Sequence, residues 1–405
     1  MSYSGPVTEH TGLSSDGVIN ARHPDFSSPT VHRAISEAVV QAKAGHFPAG
    51  TYTVSADITV DLSSNPISIY GDGVGITTIT SNNTSKSIKL QNADNLTLRG
   101  ITFNNCRLIV EDGVNFTITE SAFCSADGTG VTLTACGNGF VRSCFFEDLD
   151  SSGLRMNKNG DASANACRNI VVSDNYFRNV TIDASAGHGA VGVTGDGGNA
   201  SHDTITISNN IIDGVPKGVG IIGDGVINNY TVCGNQLKGD SAEKSLEGIT
   251  FGAANNVMVT DNRILGNQGW ISGILFFCGT SVNRGIVRSN YIENVDNGVM
   301  VHYPNSTSKS TDCVIDENYI KDTNQGILIF ASGSPTITRC WIGSDNVIVD
   351  ASTNSINRNG MEWAQKMTLG NKSLWVDDTG DLRIVDDTTM PVSADSGGTV
   401  VGTQT

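Results

Sequence analysis

TITISNNII, residues 204–212, alternates apolar and polar side chains and closes on two asparagines and two isoleucines. The same phrase returns as NIVVSDNYF (169–177), NYTVCGNQL (229–237), NVMVTDNRI (256–264), RGIVRSNYI (284–292) and DCVIDENYI (312–320). Each copy carries an Asn at one fixed place: Asn175, Asn210, Asn235, Asn262, Asn290 and Asn318. Cys144 upstream and Cys340 downstream are read into the equivalent slot. Alternation of this kind marks half-buried strands. An inward asparagine that recurs once per repeat satisfies its amide by bonding the copies above and below it.

A second phrase lies between the first: GLRMNK, AVGVTG, GVGIIG, GITFGA, GILFFC, GVMVHY and GILIFA, starting at 153, 190, 218, 248, 273, 298 and 326. Both sets advance together by about 27 residues, and the variation falls in the connections, as it does when strands are fixed and loops are free. A repeat of that length holds three short strands and three turns. Stacked at about 4.8 Å, such repeats form a parallel β-solenoid. The rival readings, a leucine-rich or helical repeat, find neither a leucine pattern nor helical periodicity between about residues 50 and 350.

Composition agrees. The chain has 405 residues, 46 of them Gly, only 16% charged residues and a net charge of −16. Gly, Asn, Ser and Thr suit short strands joined by tight turns. The acidic balance and the lack of basic runs argue against nucleic-acid or anionic-membrane partners. No apolar stretch reaches the roughly 18 residues of a membrane span. The opening MSYSGPVTEH lacks a basic and an apolar region, so no secretory signal is expected. Such a chain stays inside the cell, is trimmed, or leaves by a route such as lysis. The nine Cys show no CxxC pair. That argues against a disulfide framework or zinc site and for buried small hydrophobes at Cys144, Cys233 and Cys340.

The asparagine column and the Gly-led strands together resemble the right-handed parallel β-helix of the pectate-lyase-like superfamily. The resemblance covers roughly residues 50–350. It implies that the column lies at the turn between second and third strands, and that the Gly-led strands line a substrate groove. At the N-terminus, Ser28-Pro29 followed by Val31, Ile35, Ala38, Val39 and Ala42 predicts an amphipathic helix capping the first coil. HFPAGTYTV (46–54) then enters the first strand. That order resembles bacteriophage tailspikes and related polysaccharide-degrading enzymes. LWVDDTGDLRIVDD (374–387) predicts a hairpin around Asp378-Thr379-Gly380. The resulting division is an N-terminal segment with the capping helix (1–50), a parallel β-helix (51–355) and a small C-terminal β segment (356–405) that the resemblance implies helps form a homotrimer. An extracellular or virion-associated location follows from the same resemblance.

On a groove strand alternate residues face outward. With Leu154, Ile221, Phe251, Phe276 and Val301 inward, the outward set is Arg155, Asn157, Thr194, Ile222, Thr250, Phe277, His302 and Phe330. Lys158, Asp196, Asp224 and Tyr303 lie just past the strand ends. AVGVTGDG (190–197) and GVGIIGDG (218–225) both close on Gly-Asp-Gly. Aligning them sets Asp196 and Asp224 in one register on adjacent coils, with Cα atoms about 5 Å apart. Carboxylates that close push one pKa up and so supply an acid and a base, which glycosidic hydrolysis requires. Two other readings stay open for this pair: turn chemistry, each Asp bonding its own backbone, and a calcium ion held between them. Hydrolysis itself requires no cofactor.

The other end of these strands carries His188, in Gly-His-Gly, with Lys217 and Glu247 before the next two strands. Gly-His-Gly occurs in the polygalacturonase branch of the superfamily, but that branch's other motifs are not found in order, so His188 reads as a loop residue near substrate. Arg155 and Lys158 suit a second chemistry, β-elimination beside a uronate, which needs a base and neutralisation of the carboxylate. The expected substrate contacts are Arg155, Lys158, His188, Thr194, Glu247, Phe277, His302 and Tyr303, with Asp196 and Asp224 catalytic. The reading is a polysaccharide depolymerase, hydrolase before lyase, with a non-catalytic glycan-binding or structural virion protein as the alternative from another class.

Overall fold

The structure is a computed structural model. It describes residues 18–20, 35–36, 44–62, 66–81, 85–157, 166–180, 189–194, 202–215, 219–224, 227–239, 245–252, 254–267, 270–277, 281–303, 309–331, 336–359, 367–369, 372–376, 381–385 and 399–403.

Among these residues the chain winds as an all-β parallel helix with three faces. A typical coil begins with Leu154–Asn157 on the groove face and passes to Arg168–Ser173 on a broad face. It turns a corner into Tyr176–Val180 on a short-strand face, then returns as Gly189–Thr194 beside Leu154–Asn157. The broad face is a 13-stranded sheet that runs from Val18–Asn20 to Thr336–Ile342. The stack thus begins upstream of the expected capping helix, of which Ile35 and Ser36 are the described helical residues. Ile35 is buried in the core. The long strands Tyr319–Ala331 and Val347–Asn359 run through both remaining faces.

Inward positions are apolar, as alternation requires, and stack on their own kind from coil to coil. Phe103, Phe123, Phe146 and Phe177 form one pile, with ring centroids 5.1, 5.1 and 4.5 Å apart. Beside them runs the predicted asparagine column. Asn235 is fully buried; its Oδ1 accepts from the backbone N and the Nδ2 of Asn210, both at 2.9 Å. Its own Nδ2 donates to Ile207 O, Cys233 O and Asn262 Oδ1. The residue before each of the six predicted column asparagines is left-handed: φ is 57° at Asp174, 55° at Asn209, 67° at Gly234, 58° at Asp261, 56° at Ser289 and 54° at Glu317. That conformation turns the chain through the corner and aims the following amide inward.

The column is longer than expected. Cys144 does occupy its first slot, donating its backbone N to Asn175 Oδ1. Cys340 does not occupy the last one. It lies within the strand, opposite Cys313. Asn346 closes the column, accepting from Asn318 Nδ2 at 2.9 Å. The corner before it, Gly343-Ser344-Asp345, is one residue longer than the others, which hid it from a fixed-spacing search. A second, exposed series was also missed: Asn169 donates to Asn138, Asn138 to Asn115 and Asn115 to Asn95.

The groove strands open on a column of small residues. A Cβ on Gly248 would lie 2.7 Å from Gly273 O, and one on Gly273 would lie 2.8 Å from Gly298 O. Backbone approaches backbone there, and a side chain would force the coils apart.

Beyond the solenoid, Met367–Leu369, Lys372–Val376, Asp381–Val385 and Thr399–Thr403 form an antiparallel four-stranded sheet. The middle pair is the predicted hairpin; its turn, 377–380, lies outside the described residues. The seven cysteines whose side chains are described are free thiols, Cys144 buried and Cys233 half-buried. The side chain of Cys340 lies outside the described set. No described helix is long and apolar enough to cross a membrane.

Candidate functional site

Alternation decides which side chains of the groove strands turn away from the core. Leu154, Val191, Ile221, Ile249, Ile274, Val299 and Ile327 point into the core in one line. The next position along each strand therefore points outward. It forms a row of Arg155, Gly192, Ile222, Thr250, Leu275, Met300 and Leu328. Two residues further on, Thr194 stands beside Asp224, and Phe277, His302 and Phe330 continue the same outward parity in later coils.

The register corrects one expectation. Val191 pairs with Ile221 and Thr194 with Asp224, so the offset between these coils is two residues more than the Gly-Asp-Gly match implies. Gly220, rather than Gly218, takes the small-residue position: a Cβ there would meet Gly248 O at 2.5 Å. The reason is steric, since the close approach selects whichever Gly faces the next backbone, while the repeated tripeptide selects nothing. An even slip leaves outward residues outward, so the error changed Asp224's neighbour but not its face. Asp196 lies outside the described residues, as do Lys158 and His188. Thr194, Asp224 and Tyr303 are placed by their backbones on the groove strands Gly189–Thr194, Val219–Asp224 and Asn297–Tyr303.

Glu247, expected only as a substrate contact, is a groove carboxylate whose surroundings alter it. It sits early in Ser245–Phe251, opposite Ser272 of the next coil. It is half-buried, and its Oε2 accepts from the Thr250 hydroxyl at 3.1 Å. Loss of hydration raises its pKa above the ordinary glutamate value, against the lowering effect of the Thr250 bond. Thr250 in turn stands beside Ile222, two residues before Asp224. Strand spacing puts the Cα atoms of Thr250 and Asp224 about 8 Å apart.

Three coils beyond Asp224 lies an aromatic shelf. His302 sits between Phe277 and Phe330, with ring centroids 5.2 and 5.1 Å away. Burial against these rings lowers its pKa, so the imidazole is neutral near pH 7. Phe277 is exposed. A flat, partly apolar surface with a neutral hydrogen-bonding edge suits the face of a sugar ring. Arg155 is half-buried two coils before Ile222. The structure therefore joins Phe277 with His302, and Glu247 with Thr250, as two local groups on one face.

Among the described residues, the acidic group compact enough to hold a metal lies elsewhere. Asp316, Glu317 and Asp345 offer oxygens within 4.8 Å of one another at the corner of the last coils. The Arg288 guanidinium already pairs with Glu317 there.

Comparison with known proteins adds the family. The A-module of the Azotobacter vinelandii mannuronan C-5 epimerase AlgE6 is 15% identical, with a TM-score of 0.58 over 83% of this chain and 99% of that one. A mannuronic acid specific polysaccharide family 6 lyase from human gut microbiota is 12% identical, with a TM-score of 0.57 over 86% and 88%. The Streptococcus pneumoniae surface adhesin PfbA is 13% identical, with a TM-score of 0.56 over 93% and 99%. At such identities these likenesses establish the fold. No curated protein matches the sequence. A profile described as right handed beta helix region matches residues 192–361. A second profile spans residues 9–232, more than half of the chain, and by that match the protein belongs to the rhamnogalacturonase A/epimerase, pectate lyase-like family.

Proposed function

We propose that this chain hydrolyses a polysaccharide laid along the groove face, with Glu247 as proton donor and Asp224 and Asp196 as the base side. In this reading the Glu247 carboxyl protonates the leaving glycosidic oxygen as its bond to the anomeric carbon breaks. Water attacks that carbon and gives its proton to the Asp224 carboxylate. Arg155, Lys158, His188, Thr194, His302 and Tyr303 contact the chain of sugars, and Phe277 stacks on one of them.

The supporting observation is the half-buried Glu247 held by Thr250, one coil and two residues from Asp224. Strand spacing leaves the Thr250 and Asp224 Cα atoms about 8 Å apart, and inversion needs the two carboxyl groups roughly 6.5–9.5 Å apart with a water between them. The fold neighbours include an epimerase and a lyase whose names specify mannuronan or mannuronic acid. That supports a polysaccharide substrate and favours one second reading, elimination beside a uronate with Arg155 or Lys158 facing the carboxylate. An extracellular or virion-associated trimer belongs to the same proposal.

Incubation with a panel of neutral and uronate polysaccharides separates these chemistries. Hydrolysis gives new reducing ends without absorbance at about 235 nm, whereas elimination gives both. Glu247→Gln and Asp224→Asn should each lower turnover by about a hundredfold or more, and EDTA should leave it unchanged. Reducing ends accompanied by the unsaturated chromophore would overturn hydrolysis. Full activity in Glu247→Gln would remove the proposed donor.

A further inference from the structure

The broad face carries a second built feature, near its N-terminal end and away from the groove. A cavity of about 760 Å³ is lined there by Tyr70, Arg99, Thr119, Glu120, Arg142 and Asp174, among others. Tyr70, Arg99, Thr119 and Arg142 form one outward row, each opposite the next. Glu120 and Asp174 are left-handed corner residues at the end of their strands. Reading coil by coil, the charges run Arg99, Glu120, Arg142, Asp174, alternating in sign. None of the four makes an ion pair with a described residue.

Arg99 is held in place without a carboxylate partner. Its guanidinium lies 5.7 Å from the Tyr70 ring centroid. The His46 ring stacks on Tyr70 at 4.8 Å, and His46 Nε2 is 2.8 Å from Asp72 Oδ1. This pile fixes a cation at the edge of the cavity with its donors unspent, which lowers the ordering cost of binding an anion. The two arginines are two coils apart, about 10 Å, close to the advance of two pyranose units.

We propose that this cavity binds an acidic oligosaccharide carrying a carboxylate on every second sugar. Its carboxylates meet Arg99 and Arg142. The hydroxyls of the uncharged sugars between them donate to Glu120 and Asp174, and the Thr97, Thr117 and Thr119 hydroxyls bridge to the ring oxygens. The alternation matters, because a uniformly charged polymer would bring carboxylates against Glu120 and Asp174. The site stands on a different face from the groove, so its failure and the failure of the hydrolase reading are separate results.

Isothermal titration of the intact chain tests this, with a hyaluronan tetrasaccharide as the alternating probe and cellotetraose as the uncharged one. The charged probe should bind and the uncharged one should not, with affinity falling as salt rises. Arg99→Gln and Arg142→Gln should each weaken binding at least tenfold while leaving groove cleavage intact, and both side chains are exposed, so neither change disturbs the core. Tyr70→Ala should weaken it by removing the support under Arg99. Equal binding of the two probes, or wild-type affinity in both arginine variants, overturns the proposal. So does loss of binding in Phe277→Ala with no loss in Arg99→Gln, since the ligand would then occupy the groove.

Discussion

A carboxyl that loses hydration keeps its proton to higher pH, and at Glu247 that single property ties the proposed donor role to stability. The native state holds this proton more tightly than the unfolded chain does. Stability is therefore unaffected below the unfolded pKa and falls as pH rises towards the native one. Turnover that depends on the protonated form declines over the same upper limb. Glu247→Gln should accordingly lower turnover yet raise the thermal midpoint. The gain should be small at about pH 5 and larger at about pH 8. A midpoint shift of the same size at both pH values would show that burial of the charge is not its cause. His302 gives the opposite sign, since its lowered pKa keeps the ring neutral and apolar against Phe277 and Phe330.

The asparagine column shows how an element is held. Asn235→Ala strands the buried backbone N of Asn210 and takes a donor from the carbonyls of Ile207 and Cys233. Leaving such groups unsatisfied should cost about 3 kcal/mol or more, read from urea denaturation. Asn346→Ala, at the half-buried end of the column, should cost about 1 kcal/mol. Equal losses at the two positions would mean that burial along the column does not set its strength. This element was legible in the sequence because a corner in the left-handed region followed by an inward amide admits few residues, and so leaves the same letter at nearly the same interval. Asn346 escaped because one extra residue in a corner costs the fold nothing and breaks the interval. The groove was less legible for a related reason. Outward parity survived from Arg155 to Phe330, but Gly-Asp-Gly is under no constraint to stay in register, and aligning on it moved Asp224 two places. Glu247 could be placed beside the groove but not credited with its altered pKa, which arises from packing rather than pattern.

At the scale of the molecule, each coil meets only the coils above and below it, so stability is close to a sum of layers and interfaces. The faces divide the work. The groove face gathers Glu247, Thr250 and the His302 shelf. The broad face carries the alternating charges from Arg99 to Asp174. The short-strand face neutralises itself: Arg178 pairs with Glu147, Lys238 with Asp213 and Lys321 with Glu293 along one column. A chain with net charge −16 can thus keep two chemically distinct surfaces, because sign is arranged locally by register and not by overall composition.

The small-residue column that opens the groove strands has a consequence for how such a chain grows or shrinks. From Gly273 to Asn297 is one complete circuit of 25 residues, ending where the next Gly begins. Excising that cassette should splice Ser272 onto Gly298 and let the flanking floors of the tower close on each other, Asn262 now reaching Asn318. A shortened protein that melts cooperatively, with the Phe277 side of the aromatic shelf gone, is the outcome to look for by circular dichroism. A collapsed or aggregated product would mean that the storeys are not interchangeable.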